Sequence, residues 1–432
     1  MVESSKLLPY IGINKTNPST RLEVGGDIST TTYLDILERP VVRVGNPGTL
    51  LSTNLFLGYF AGPPTGALDN ANNTFAGFQA GESNTSGTTN TCVGANACFH
   101  NTTGIANAMF GALAGYRNTT GNFNTYVGVD AAFTNSGSIN NNTFTGYEAG
   151  FNNTASNGVF YGYQAGYANT AAGNSFVGYQ SGMANTTGAA NTFLGYQSGF
   201  KNSSGFSNTF VGNSAGFNSA TSGSTGNTFV GNSAGYSANT VSSSSFFGYS
   251  AGSNTIAPAY GNTFSGYDAG RSNTVGIDNA CYGYNSCYNP SAATAGSMNT
   301  CLGAGACSNT GANGSNNIFV GFAAGNAEST VNNNIEIGNN GGGGVSKQIL
   351  IGTQGTQTST YIAGIYGVNP LLAGALEVCI DSSGQLGTGS HCPSTTQQEV
   401  IKTQQQQIQT QGQQIADLQE RLSRLESLIA NK

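Results

Sequence analysis

Between residues 58 and 352 a glycine returns about every 17 residues, each time inside the same phrase. The unit Asn191-Thr-Phe-Leu-Gly195-Tyr-Gln-Ser-Gly199-Phe-Lys-Asn202-Ser-Ser-Gly205-Phe-Ser is followed at Asn208 by another Asn-Thr-Phe-Val-Gly. We count places one to seventeen from the leading asparagine. The fifth-place glycine runs from Gly58 through Gly195 and Gly212 to Gly352, in steps of 14 to 20. A unit this short cannot enclose a core alone, so it must stack on its copies. Each unit offers one short strand, then a turn, then a second segment ending in Asn-Thr-Thr-Gly or a variant. Strands stacked in this way pair in parallel, and aligned asparagines form amide ladders. The repeat predicts an all-β fold, a β-solenoid of about 17-residue coils over 53–352. At roughly 4.8 Å per coil it makes a rod of about 80 Å.

Adjacent strand residues point to opposite faces. The third place is aromatic in most units, as at Phe75, Phe144, Phe176, Phe193, Phe210, Phe229 and Phe264. The fourth is mostly apolar too: Val93, Val127, Val177, Leu194, Val211, Val230 and Val320. Both faces of the strand therefore read as buried. One lines the coil's own interior. The other packs against a neighbouring chain or under the chain's own second segment.

The cysteines follow the repeat. Cys92, Cys281 and Cys301 take the third place, and Cys98, Cys287 and Cys307 take the ninth place of the same three units. Elsewhere those places hold mainly Phe and Gly. The joint exchange implies that the third-place ring lies over the ninth-place glycine, and that a disulfide fills the same volume. The competing reading is a metal site, but two thiolates per coil fall short of zinc's usual four, except where two such coils adjoin. Cys379 and Cys392 make a fourth pair, closing a loop. Paired cysteines imply an oxidising compartment.

From residue 396 to 432 glycine nearly vanishes and a heptad begins. Ile401, Ile408, Ile415, Leu422 and Ile429 take a; Gln404, Gln411, Leu418 and Leu425 take d. This is a coiled-coil seam. Arg421-Leu-Ser-Arg-Leu-Glu426 is similar to three-stranded trimerisation motifs, with Arg421 at g in reach of a Glu426 at e on the next helix. Together with a strand face that wants a partner, it predicts a parallel homotrimer. The chain then divides into an N-terminal β segment (1–52, a tip or a base), the solenoid (53–352), a neck with the Cys379–Cys392 loop (353–395) and a trimeric coiled coil (396–432).

Composition narrows the function. Only 7% of residues are charged and the net charge is −6. Between Arg43 and Lys347 the only basic residues are Arg117, Lys201 and Arg271, too few for a nucleic-acid backbone. No apolar run is long enough to span a membrane as a helix. Residues 1–8 hold no apolar signal core, so either a signal peptide has been removed or export takes another route. The run Gly341–Gly344 lacks the Gly-Lys-Ser/Thr of a phosphate loop. Asp130, Asp268 and Asp278 read as solvated acids without a calcium-loop pattern. His100 and His391 read as surface or turn residues. No cofactor, metal or catalytic constellation is expected.

The phrase Asn-Thr-Phe-Val-Gly-Tyr-x-Ala-Gly resembles the β-solenoid shafts of tail-fibre-like proteins and trimeric bacterial surface adhesins. Ile11-Gly-Ile-Asn-Lys-Thr-Asn-Pro-Ser-Thr-Arg-Leu-Glu-Val-Gly25 is similar to the opening of such fibres. Thr358–Gly367 and Val378–Gly387 are similar to the segment before their intramolecular chaperone. The resemblance implies an extracellular or cell-surface fibre, or a virion tail fibre, that meets cells, receptors or glycans. The self-cleaving chaperone expected after Gly387 is replaced by the cysteine loop and coiled coil, and no barrel anchor follows, so the mode of attachment stays open.

Two other classes compete. A column of second-place threonines (Thr74, Thr91, Thr143, Thr192, Thr209, Thr228, Thr263) suits ice binding, but Thr-x-Thr appears in the shaft strands only at Thr143 and Thr145. A β-helix glycosidase needs a positioned carboxylate pair, whereas Glu82 and Glu148 read as isolated acids.

Overall fold

A computed structural model describes residues 54–64, 71–219, 223–256, 258–288, 296–308, 314–326, 330–341, 344–353, 356–357 and 400–431 in full. It describes the backbone of 11–13, 22–24, 33–36, 39–44, 378–380, 386–388 and 395–399. The chain forms two compact units, Met1–Ile351 and Gly352–Lys432.

The first unit is the solenoid. Among the described residues eighteen strands, one per coil from Leu55–Leu57 to Ile349–Ile351, pair in parallel with their neighbouring coils. Register is strict: Thr192, Phe193 and Leu194 face Thr209, Phe210 and Val211. The ladder is open, because Ile349–Ile351 pairs only with Ile335–Ile337 among the described strands. At the other end two antiparallel strands, Tyr33–Ile36 and Arg39–Val44, pair with each other, and the second pairs with Leu55–Leu57. A hairpin from the N-terminal segment thus covers the edge of the first coil. Among the described residues the second segment also forms a strand in two coils, Val241–Ser242 beside Ala259–Tyr260.

The third place fills the interior. From Phe144 to Phe264 eight phenylalanine rings stack face to face at 4.4 to 5.1 Å. They are inaccessible to solvent. Burying one such ring contributes roughly 1.5–3 kcal/mol, supplied once per coil. The ring demands room at the ninth place: a Cβ on Gly182 would lie 2.7 Å from Cδ2 of Phe176. The fifth-place glycine is required for a different reason. Gly195 has φ +139°, and a Cβ there would lie 2.6 Å from the carbonyl carbon of Gly212 in the next coil.

Asparagine supplies the polar half of the core. At the first place, Asn191 donates its backbone N–H to Asn174 Oδ1 at 2.9 Å and its Nδ2 to the Gly205 carbonyl at 2.8 Å. Its own Oδ1 accepts the Asn208 N–H at 3.0 Å. A second ladder runs at the twelfth place, where Asn185 donates to Asn169 at 2.7 Å and Asn202 to Asn185 at 3.0 Å. The ladders satisfy backbone groups that turns would otherwise leave bare inside the rod.

The outward strand face excludes one of the two readings of its apolar column, packing under the chain's own second segment. Val93, Val127 and Leu194 are exposed, and Val177, Val211, Val230 and Val320 are half-buried. None is enclosed by the chain's own second segment. The alternation that marks a buried inner face leaves this apolar column on the outside of the single chain.

The second unit holds a short antiparallel pair, Val378–Ile380 with Leu386–Thr388, and a 36-residue helix, Thr395–Ala430. Among the described residues no helix is long and apolar enough to cross a membrane.

Candidate binding surface

The solenoid's outer surface is made of columns, because each place of the repeat recurs one coil further on. The second place gives the threonine column. A second threonine column does not flank it, since the fourth place beside it carries Val, Leu, Phe or Tyr in most coils.

The sixth place gives tyrosine. Tyr147, Tyr163, Tyr179 and Tyr196 follow one another at 5.1 to 5.4 Å with planes within 10° of parallel. A second run, Tyr249, Tyr267 and Tyr284, repeats the arrangement. The stacking has a chemical consequence. The inner rings of each run have both faces covered by their neighbours, so edges and hydroxyls are what solvent meets.

Beside the first run lies a row of seventh-place side chains. Gln164 donates Nε2 to Glu148 Oε2 at 2.8 Å, Gln180 to Gln164 at 2.9 Å and Gln197 to Gln180 at 2.9 Å. These residues all sit in the left-handed region, with φ of 50° to 52°. That conformation costs a non-glycine residue roughly 1–2 kcal/mol, so the stacked coils must hold it in place. Nothing in Gln or Glu signals it.

A third column, at the tenth place, stacks Phe99, Tyr116, Phe133, Phe151 and Tyr167 at 5.1 to 5.4 Å. His100 sits in a turn here, edge-on to Phe99 and Tyr116 at 4.7 and 4.9 Å. Lys201 and Arg117 reach over rings of the following coil, Phe217 and Phe133, at 5.6 and 6.0 Å.

The acids depart from the sequence reading in three places. Asp268, expected in solvent, is 5% exposed and accepts Arg271 Nη1 at 3.0 Å. Glu148 is not isolated, because Asp130 occupies the same place one coil earlier. Burial first, and the Glu148 charge second, raise the Asp130 carboxyl above its ordinary range. The Tyr147 hydroxyl donates to Glu148, which raises the phenol. Glu336 takes a third place, where other coils bury a ring, and is itself buried with Oε1 accepting Asn334 Nδ2 at 3.2 Å. Its position in the repeat was the available signal. Glu82 lies four coils from Glu148 in the register of the repeat, which leaves those two acids without the proximity a glycosidase needs. Asp278 is exposed as expected.

Three cysteine pairs stand where the repeat placed them: Cys92–Cys98, Cys281–Cys287 and Cys301–Cys307, each with Cα atoms 6.0 Å apart. The ninth-place cysteines have φ of 51° to 57°, the region glycine occupies in other coils. The sulfurs of Cys281, Cys287 and Cys301 lie within 4.8 Å of one another, yet they are committed to disulfides. Cys379 is described by its backbone alone and Cys392 lies outside the described residues.

On the C-terminal helix the whole predicted seam is in solvent. Ile401, Ile408, Ile415, Leu418, Leu422, Leu425 and Ile429 are 52 to 74% exposed. Arg421 meets Asp417 at 3.5 Å and Arg424 meets Glu420 at 3.0 Å, both within the helix.

No protein-family model matches the chain, no curated protein matches it, and no solved structure matches it.

Proposed function

We propose that this chain is one strand of a homotrimeric extracellular fibre whose shaft presents an adhesive surface to cells or glycans. The observation that carries the reading is the helix seam: seven apolar side chains in heptad register, every one more than half exposed. A lone helix in water gains little from such a stripe, whereas three parallel copies bury it. In that assembly Arg421 exchanges Asp417 for Glu426 of a neighbouring helix. The outward fourth-place column offers the shaft a second surface for the same contact. The cysteine pairs favour an oxidising space outside the cell over a tail fibre assembled in a reducing cytoplasm. The resemblance of the repeat to adhesin and tail-fibre shafts points the same way. The shaft's low charge and its columns of hydroxyl, amide and aromatic groups suit neutral ligands. The test is saturable binding of the labelled full chain to cell surfaces and to glycan arrays. Binding competed by unlabelled chain supports the reading; a chain that binds no surface above background contradicts it.

A further inference from the structure

The four coils from Phe144 to Tyr196 carry a coincidence. The longest tyrosine run and the glutamine row that ends on Glu148 occupy the same coils. Each glutamine Nε2 carries two hydrogens, and the row consumes one. One N–H is left over at each of Gln164, Gln180 and Gln197, beside the phenol hydroxyl of Tyr163, Tyr179 and Tyr196; in the first coil Glu148 takes that place. Tyr147, Tyr163, Tyr179 and Tyr196 are 41 to 48% exposed, so those hydroxyls face solvent. The result is a strip of neutral donors and acceptors that repeats once per coil, at the 5.1 to 5.4 Å of the ring spacing.

Two constraints follow for a ligand. It cannot stack flat on the inner rings, whose faces are closed, so it must run along the column. Its own hydrogen-bonding groups must repeat at about one coil height. An anionic polymer is disfavoured, because Glu148 and Asp130 stand at one end and no lysine or arginine lies among the sixth- and seventh-place groups of these coils. An extended β-1,4-linked chain of neutral sugars meets both conditions: each sugar advances by nearly one coil, and its hydroxyls line both edges. An α-1,4-linked chain coils away from a straight track.

We propose that the strip of Tyr147, Tyr163, Tyr179 and Tyr196 with Gln164, Gln180 and Gln197 is a binding track for a neutral β-1,4-linked polysaccharide lying parallel to the solenoid axis, one sugar per coil. The proposal rests on the adhesive reading above and gives it a ligand class.

The experiment is calorimetric titration of the full chain with cello- and chito-oligosaccharides of two to six sugars, and with maltohexaose. Affinity rising with length to four sugars and then levelling, with no maltohexaose binding, supports the track. Equal binding of maltohexaose, no dependence on length, or no binding overturns it. The double variant Tyr163→Phe/Tyr179→Phe keeps the ring stack and removes two hydroxyls; a loss of tenfold or more is expected, and unchanged affinity overturns the proposal. Light scattering on the same samples separates the two readings. A trimer that binds no oligosaccharide overturns the track alone. A monomer that binds supports the track and overturns the trimer.

Discussion

Asn191 is the place to test whether amide ladders hold the coils together. Its side chain serves two backbone groups of the rod, the Gly205 carbonyl and the Asn208 N–H. Asn191→Ala strands the Asn208 N–H where water does not reach, whereas the Gly205 carbonyl loses one of its two donors and keeps Asn202 Nδ2 at 3.0 Å. The orphaned N–H costs roughly 1–3 kcal/mol and the lost bond to Gly205 roughly 0.5–1.5 kcal/mol, so the loss is about 1.5–4.5 kcal/mol. Asn191→Asp separates the donor from the acceptor. A carboxylate still accepts from Asn208 but cannot donate to Gly205, whereas a carboxylic acid does both. Burial raises the folded-state pKa of that carboxyl above its unfolded value of about 3.9. The folded state holds the proton longer than the unfolded state, so the stability is present below the unfolded pKa and is lost as pH rises through the folded pKa. Measured by urea denaturation against wild type at each pH, Asn191→Asp stays close to wild type near pH 3.5 and falls away toward pH 7. Hydrogen exchange localises the effect, with the Asn208 amide losing protection first. An alanine variant within 0.5 kcal/mol of wild type, or an aspartate variant with no pH-dependent difference, would refute the reasoning.

The remaining predictions test the core and the surface. Phe193→Ala removes a ring held between Phe176 and Phe210 at 4.9 and 4.8 Å and should cost about 3–5 kcal/mol in a denaturant melt. The double exchange Cys281→Phe/Cys287→Gly restores the commoner pairing and leaves a folded rod by circular dichroism, while Cys281→Phe alone drives a ring into the Cys287 Cβ and lowers the melting temperature. Asp130→Asn raises the melting temperature at pH 7, where a carboxyl with a raised folded pKa is charged against Glu148, and leaves it unchanged at pH 3, where the proton is already bound. A gain at both pH values would point to a packing effect.

The parts of this fold that repeat were legible in the sequence, because a solenoid turns periodicity into contact. Phe176 over Gly182 and Cys281 bonded to Cys287 are the same spacing with two chemistries, and the exchange of one pair for the other was visible without coordinates. The outward face was less legible. In a three-residue strand, Leu194 beside Phe193 reads as a second buried side, and nothing in the alternation separates an outer surface from an interface. The left-handed seventh place was invisible, since Gln164, Gln180 and Gln197 have no preference for φ near 50° and the stacked coils impose it. Ring direction was equally hidden: nothing in the sixth-place tyrosines says whether their faces are open, and only the near-parallel planes show them closed. Asp268 looked like a surface acid because Arg271, three residues on, was not read as its partner.

The central claim is that three copies of this chain assemble through the exposed seam. Solution mass by light scattering tests it directly, on the full chain and on a chain ending before Thr395. The account predicts three times the 44.0 kDa chain mass for the full protein. If the shortened chain stays trimeric, the fourth-place column is also an interface; if it falls to monomers, the helix alone joins the chains. A full-length chain that runs as a monomer would contradict the account.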